Sequence, residues 1–175
     1  MLRFQELIFG HLHFMTVTQD PNLTPLRESF QRLDVDDQLA LFWFVYTEMG
    51  ESITPAAPGA STVSPAIAEG LFNQVKEMSH EEQLQVQRDL IAHADTQIAR
   101  EYGSMGDTTK LLFWYLLAQG MESATIVPMP PDYKLPANAE DLLNQIKGLD
   151  FNQQITLFRD IVSPMGAEAK AGSEI

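Results

Sequence analysis

Four histidines and paired acids such as Asp36-Asp37 and Glu81-Glu82 are the side chains best suited to making or breaking bonds, and their spacing favours neither metal nor acid–base chemistry. His11 and His13 stand two apart in an N-terminal extension that lacks Cys or carboxylate ligands beside them, so a full metal-ligand set is missing. His80 sits inside a capping sequence and His93 at a helix end, which are ordinary polar positions. Asp36-Asp37 and Glu81-Glu82 fall in first helical turns, where the helix dipole favours acids, and read as caps. No GxSxG, P-loop, GxGxxG or HExxH occurs, and the chain is not expected to be an enzyme. What remains is aromatic: Phe42-Trp43-Phe44 with Tyr46, and Phe113-Trp114-Tyr115. A Trp or Tyr in a buried helix is ordinarily core. Two such walls in one domain, each followed by a Pro/Gly-rich loop, are an excess that suits a long apolar slot for a flat ligand.

The elements that carry these rings are two long helices. Leu39 to Met49 is apolar on every side and reads as buried all round, with Leu39, Trp43 and Tyr46 on one face and Phe42, Val45 and Met49 on the next. Leu111 to Leu117 repeats the pattern at a constant offset, the one that sets Leu41-Phe42-Trp43 on Leu112-Phe113-Trp114. Glu51-Ser52 meets Glu122-Ser123, Asn73-Gln74 meets Asn144-Gln145, and Arg88-Asp89 meets Arg159-Asp160 at the same offset. One unit has been duplicated, with a period too long and copies too few for a solenoid. A pseudo-twofold domain of two similar halves follows.

The remaining helices are punctuated clearly. Thr24-Pro25 opens one as cap and first residue, running to about Leu33, and Asp34 caps the first long helix. The stretch from Ile53 to Val63 is a loop; Ser64-Pro65 starts a helix to about Lys76, and Ser79 with Glu82 forms a capping box for the next. Asp95 to Tyr102 is a short helix, and Asp107 caps the second long one, to about Gln119. Thr125 to Pro136 is a second loop, followed by helices Ala137 to Lys147 and Asp150 to Val162, with Asp150 and Gln153 repeating the capping box. No period-two alternation is sustained, so the fold class is all-α. Residues 1–20 read as an extension, with translation starting at Met15; 21–165 as the domain; and the chain from Ser163, more so over 166–175, as a frayed tail.

The 175 residues suffice to bury roughly 68–70% of the unfolded surface in one core. Eleven basic residues against 24 acidic give a net charge of −13, which disfavours nucleic acid and anionic lipid as partners. No run approaches the ~20 apolar residues of a membrane span.

Asp37-Gln38-Leu39-Ala40-Leu41, Trp43-Phe44, Glu48-Met49-Gly50, Ala56-Ala57-Pro58-Gly59-Ala60, Phe113-Trp114-Tyr115, Tyr133-Lys134-Leu135, Ala137-Asn138-Ala139 and Gln153-Gln154-Ile155-Thr156 resemble the N-terminal helical domain of orange carotenoid proteins and its stand-alone relatives, the helical carotenoid proteins of cyanobacteria. The resemblance runs from about Leu26 to Met165. It implies two interleaved four-helix bundles around one keto-carotenoid, canthaxanthin, echinenone or 3'-hydroxyechinenone. It further implies that Tyr46 and Trp114 sandwich a terminal ring, that Trp43, Tyr115, Met121 and Tyr133 complete the ring pocket, and that Leu39, Leu111 and Ile155 line the polyene. Arg159 matches the arginine that docks on the phycobilisome. The implied function is photoprotection, by quenching singlet oxygen and phycobilisome excitation, in the cytoplasm at the thylakoid surface; chloride-ion binding is a further family property. Two departures bear on this. The chain stops after Met165 without the mixed α/β C-terminal domain, which implies a permanently open form and, as an alternative, a carrier loaded by a C-terminal-domain homologue. Leu112 and Ala118 stand where many full-length relatives have glycine, narrowing the room beside Trp114. From another class, a pigment-free helical adaptor with a packed core also satisfies the pattern.

Overall fold

The computed structural model describes residues 20–50 and 65–168. The expected extension with His11, His13 and Met15, the loop from Ile53 to Val63 and the tail past 168 lie outside the described residues. Among those described there are eight helices and no strand: α1 (Thr24–Gln31), α2 (Val35–Met49), α3 (Pro65–Lys76), α4 (His80–Ile91), α5 (Gln97–Gly103), α6 (Asp107–Glu122), α7 (Ala137–Lys147) and α8 (Phe151–Val162). None of these is long and apolar enough to cross a membrane.

Displaced by the repeat offset, α1 to α4 fall on α5 to α8, and α4 lands on α8 residue for residue. The duplicated caps form as the sequence requires. Ser79 accepts from the Glu82 N–H while the Glu82 carboxylate accepts from the Ser79 N–H, and Asp150 with Gln153 does the same. Other caps differ. Thr24 is already the first residue of α1, after Leu23; Asp34 precedes α2 without a side-chain cap bond; and Gly106, not Asp107, caps α6. In the first turn of α2 the acids bind tertiary partners as well as favouring the dipole: Asp36 takes the Arg88 guanidinium in two parallel bonds of 2.9 and 3.0 Å, and Asp37 accepts from Tyr133.

The repeats exchange helices. α1 packs on α7 and α8 and α2 on α7, while α5 packs on α3 and α4 and α6 on α3. One bundle is therefore α1, α2, α7 and α8, the other α3 to α6, each built from the first two helices of one copy and the last two of the other. The bundles meet where α2 crosses α6 and where α2 and α6 touch α4 and α8 of their own copies. A continuous apolar core runs through both, including Leu41, Leu71, Phe113, Leu142 and Leu157. Buried Gln83 ties the chain after α6 to α4: its amide donates to the Thr125 carbonyl at 3.1 Å and accepts from the Val127 N–H at 2.8 Å.

The frayed tail expected from Ser163 is not seen over 163–168, where the chain packs back on the domain. Met165 and Gly166 are buried, the Gly166 N–H donates to the Leu90 carbonyl at 2.8 Å and the Ala167 N–H to Ala99 at 3.0 Å. Gly166 adopts φ +83°, and a Cβ there would meet the Tyr102 ring at 2.7 Å, so glycine permits both the turn and the close approach. Small residues that read as disordered serve here to lay backbone against α4 and α5.

Candidate functional site

The cleft lies between α2 and α6, where the two bundles meet. From α2 it takes Leu39, Phe42, Trp43, Val45 and Tyr46, then Gly50; from α6, Leu111, Trp114, Tyr115, Leu117, Ala118 and Met121; and Gln87 of α4 with Phe158 of α8 completes it. Trp43 and Trp114, Tyr46 and Leu117, Gly50 and Met121, and Gln87 and Phe158 are partners at the repeat offset, so the pseudo-twofold passes through the cleft. Reading α2 as buried all round needs correction on this account. Its buried side chains are Gln38, Ala40, Leu41, Val45 and Met49, whereas Leu39, Phe42, Trp43 and Tyr46 are half-buried because they face an opening that water reaches.

The rings are in mutual contact. Phe42 packs on Trp114 with centroids 5.0 Å apart, Trp43 on Tyr46 at 5.7 Å, and Tyr46 meets Tyr115 edge to face at 5.7 Å. Ring contacts of Tyr46 are thus with Trp43 and Tyr115, and those of Trp114 with Phe42, Tyr102 and Phe113. The free volume is about 80 Å³, below the roughly 300–1,000 Å³ of a pocket that encloses a small molecule. The lining chemistry fits a flat, apolar guest, whereas the volume as the rings stand is too small to enclose one.

Polar groups hold this lining from behind and from the rim. The Tyr46 hydroxyl donates to Glu122 Oε2 at 2.6 Å, and partial burial, then the Glu122 hydrogen bond and charge, push its pKa up to about 12. The Trp114 indole N–H donates to the Tyr102 hydroxyl at 2.9 Å, which donates in turn to the Val162 carbonyl at 2.8 Å. Burial drives the Tyr102 pKa well above the phenol range. Lys110, also buried, donates to the Ser163 carbonyl at 2.7 Å with its ammonium 5.4 Å from the Tyr102 ring centroid; burial lowers its pKa. No group of three or more His, Cys, Asp or Glu that could hold a metal ion occurs among the described residues.

Of the residues singled out from sequence, Leu39, Trp43, Tyr46, Leu111, Trp114, Tyr115 and Met121 come together in this cleft. Tyr133 and Ile155 are not in its lining. Tyr133 donates to Asp37 at 2.6 Å beside a surface hollow that also holds Asp34, Asp36 and Arg88, and Ile155 is 5% exposed in the core of α8. Arg159 is half-buried on α8. Ala118 lines the cleft while Leu112 packs against the core. Sequence reasoning passed over Tyr102, Glu122, Gln87 and Phe158. The repeat offset was the one signal, pairing Gln87 with Phe158 and Glu122 with Glu51, and it gave none of them a role.

Comparison with known proteins agrees with this architecture. A family model described as "Orange carotenoid protein, N-terminal" matches residues 16–168. An orange carotenoid-binding domain-containing protein of Nostoc is 53% identical over 142 residues, 81% of this chain and 82% of the relative. The solved structure of the Anabaena (Nostoc) red carotenoid protein binding canthaxanthin is 67% identical with a TM-score of 0.77, over 85% of this chain and 100% of that one. The Anabaena (Nostoc) orange carotenoid protein binding canthaxanthin is 45% identical with a TM-score of 0.76, over 86% of this chain and 48% of that one.

Proposed function

The chain belongs to the orange carotenoid protein N-terminal family, and on that premise we propose that it holds one keto-carotenoid non-covalently between α2 and α6 and acts in photoprotection. The observation that carries this reading is the aromatic cleft on the pseudo-twofold, since a carotenoid, two rings on a symmetrical polyene, offers equivalent halves to equivalent walls. Canthaxanthin in the similar red carotenoid protein supports the ligand class. Bound, such a polyene takes up energy from singlet oxygen or an excited pigment and releases it as heat.

The residues of the chain bind, orient and exclude water. Tyr46 and Trp114 take a terminal ring between them, Trp43, Tyr115 and Met121 close round it, and Leu39 and Leu111 flank the polyene. Tyr133 and Ile155, outside the cleft lining, are not needed for this hold. Separating the Tyr46 and Tyr115 edges costs about 0.5–1.5 kcal/mol beyond the area the rings uncover. Each ~100 Å² of apolar ligand surface taken from water returns about 2.5 kcal/mol before ordering costs. A longer polyene brings proportionately more apolar surface to offset that opening cost.

Quenching of phycobilisome excitation is the finer part of the proposal, with Arg159 as the docking side chain on α8. An antenna partner must be met by local positive charge, because the chain as a whole carries −13. Production in a host that accumulates canthaxanthin tests the central claim: the purified protein is expected to be coloured, with one pigment per chain. A colourless product overturns it in favour of the pigment-free adaptor.

A further inference from the structure

The two tryptophans of the cleft are equivalent by repeat and unlike in their support. Trp114 is 7% exposed and its indole N–H is hydrogen-bonded to Tyr102, a side chain with no exposed surface. Trp43 is half-buried, and the residue at the position equivalent to Tyr102 in the first copy is Gln31, which is exposed. Tyr102 is itself fixed on every side. Its hydroxyl donates to the Val162 carbonyl at the end of α8, Phe113 meets it edge-on at 5.7 Å, the Lys110 ammonium stands over it, and the glycine backbone at 166 closes the remaining side. Rotating the Trp114 indole would leave a buried N–H without an acceptor, a change that folded proteins resist.

We infer that Tyr102 is a positioning residue: its hydroxyl fixes the rotamer of Trp114 and makes that indole the rigid wall of the cleft, while Trp43 stays adjustable. The pseudo-symmetric slot is thereby given two different ends. The pigment part of this inference rests on the reading of the cleft as a keto-carotenoid site.

Tyr102→Phe tests it, because the ring and its packing stay and only the hydroxyl goes. Indole N–H resonances are assigned with Trp43→Phe and Trp114→Phe. In Tyr102→Phe the Trp114 indole proton is expected to move upfield, that of Trp43 to stay, and the visible band of bound canthaxanthin to shift or broaden. An unmoved Trp114 resonance overturns the inference, as does a moved resonance with an unchanged pigment band. Should Tyr102→Phe fail to fold, the unmodified protein still decides: a Trp114 indole proton downfield of that of Trp43 supports the hold, and equal shifts overturn it. A colourless unmodified protein strikes the carotenoid reading alone, since the indole resonances need no pigment and continue to report the Tyr102 contact.

Discussion

Tyr46, on the last turns of α2, donates its phenolic hydrogen to Glu122, the final residue of α6, across 2.6 Å. This bond joins the two helices that flank the cleft, at the rim rather than the floor. Partial burial comes first in raising the Tyr46 pKa to about 12, and the carboxylate adds to it by accepting the proton and by repelling a phenolate. Glu122→Gln keeps the shape and removes the charge. Alkaline difference absorbance should then show Tyr46 ionising at lower pH; an unchanged titration would assign the whole shift to burial.

Tyr133 behaves alike, its pKa pushed up to about 12 by burial and then by its bond to Asp37. Both phenols are held neutral in the folded chain, so their contribution to stability is complete below the ordinary value of 10.0 and disappears as pH rises through about 12. Urea midpoints should fall across that window. Tyr46→Phe together with Tyr133→Phe should flatten the fall, and a double variant as pH-sensitive as the parent would refute it.

Gly120 lies where α6 meets the chain returning at Ile126: a Cβ there would collide with Ile126 Cγ1 and stand 3.3 Å from Phe72. Both atoms sit in packed surroundings, so Gly120→Ala should destabilise by about 1–3 kcal/mol despite its better helix propensity. Chemical denaturation measures this directly, and a stabilised variant would mean that the contact yields freely.

The twin capping boxes should be equivalent in energy as well as in form. Ser79→Ala and Asp150→Ala are each expected to cost about 0.5–2 kcal/mol. A measurable cost at only one of them would confine the equivalence to geometry.

Arg159→Leu should reduce phycobilisome fluorescence quenching by pigment-loaded protein at low salt, with the pigment spectrum unchanged. Undiminished quenching would move the docking role elsewhere on the surface.

Helix order and the duplicated caps were legible because one constant offset aligns whole elements, from Arg88-Asp89 with Arg159-Asp160 to Ser79 with Asp150. The exchange of helices between copies was implied by the family resemblance, as two interleaved bundles, and not by any local signal, since α2 carries no mark telling it to pack on α7 as well as on α4 of its own copy. The aromatic side chains of the cleft could be read from composition and spacing, yet their support could not. Tyr102 sits in a short helix beside Arg100 and Glu101 and looks like surface until the fold buries it. Ser163 to Ala167 misled for the converse reason: small residues signal freedom in sequence and close backbone contact in space.

The bundle of α3 to α6 is contiguous, from Pro65 to Glu122, whereas its neighbour joins α1 and α2 to α7 and α8 from beyond that segment. On a ribosome emitting about 5–20 residues per second, the contiguous half has all its helices once Glu122 clears the exit tunnel. The other must wait for Val162, so α1 and α2 spend seconds of every synthesis with greasy flanks bare, the kind of surface on which nascent chains aggregate.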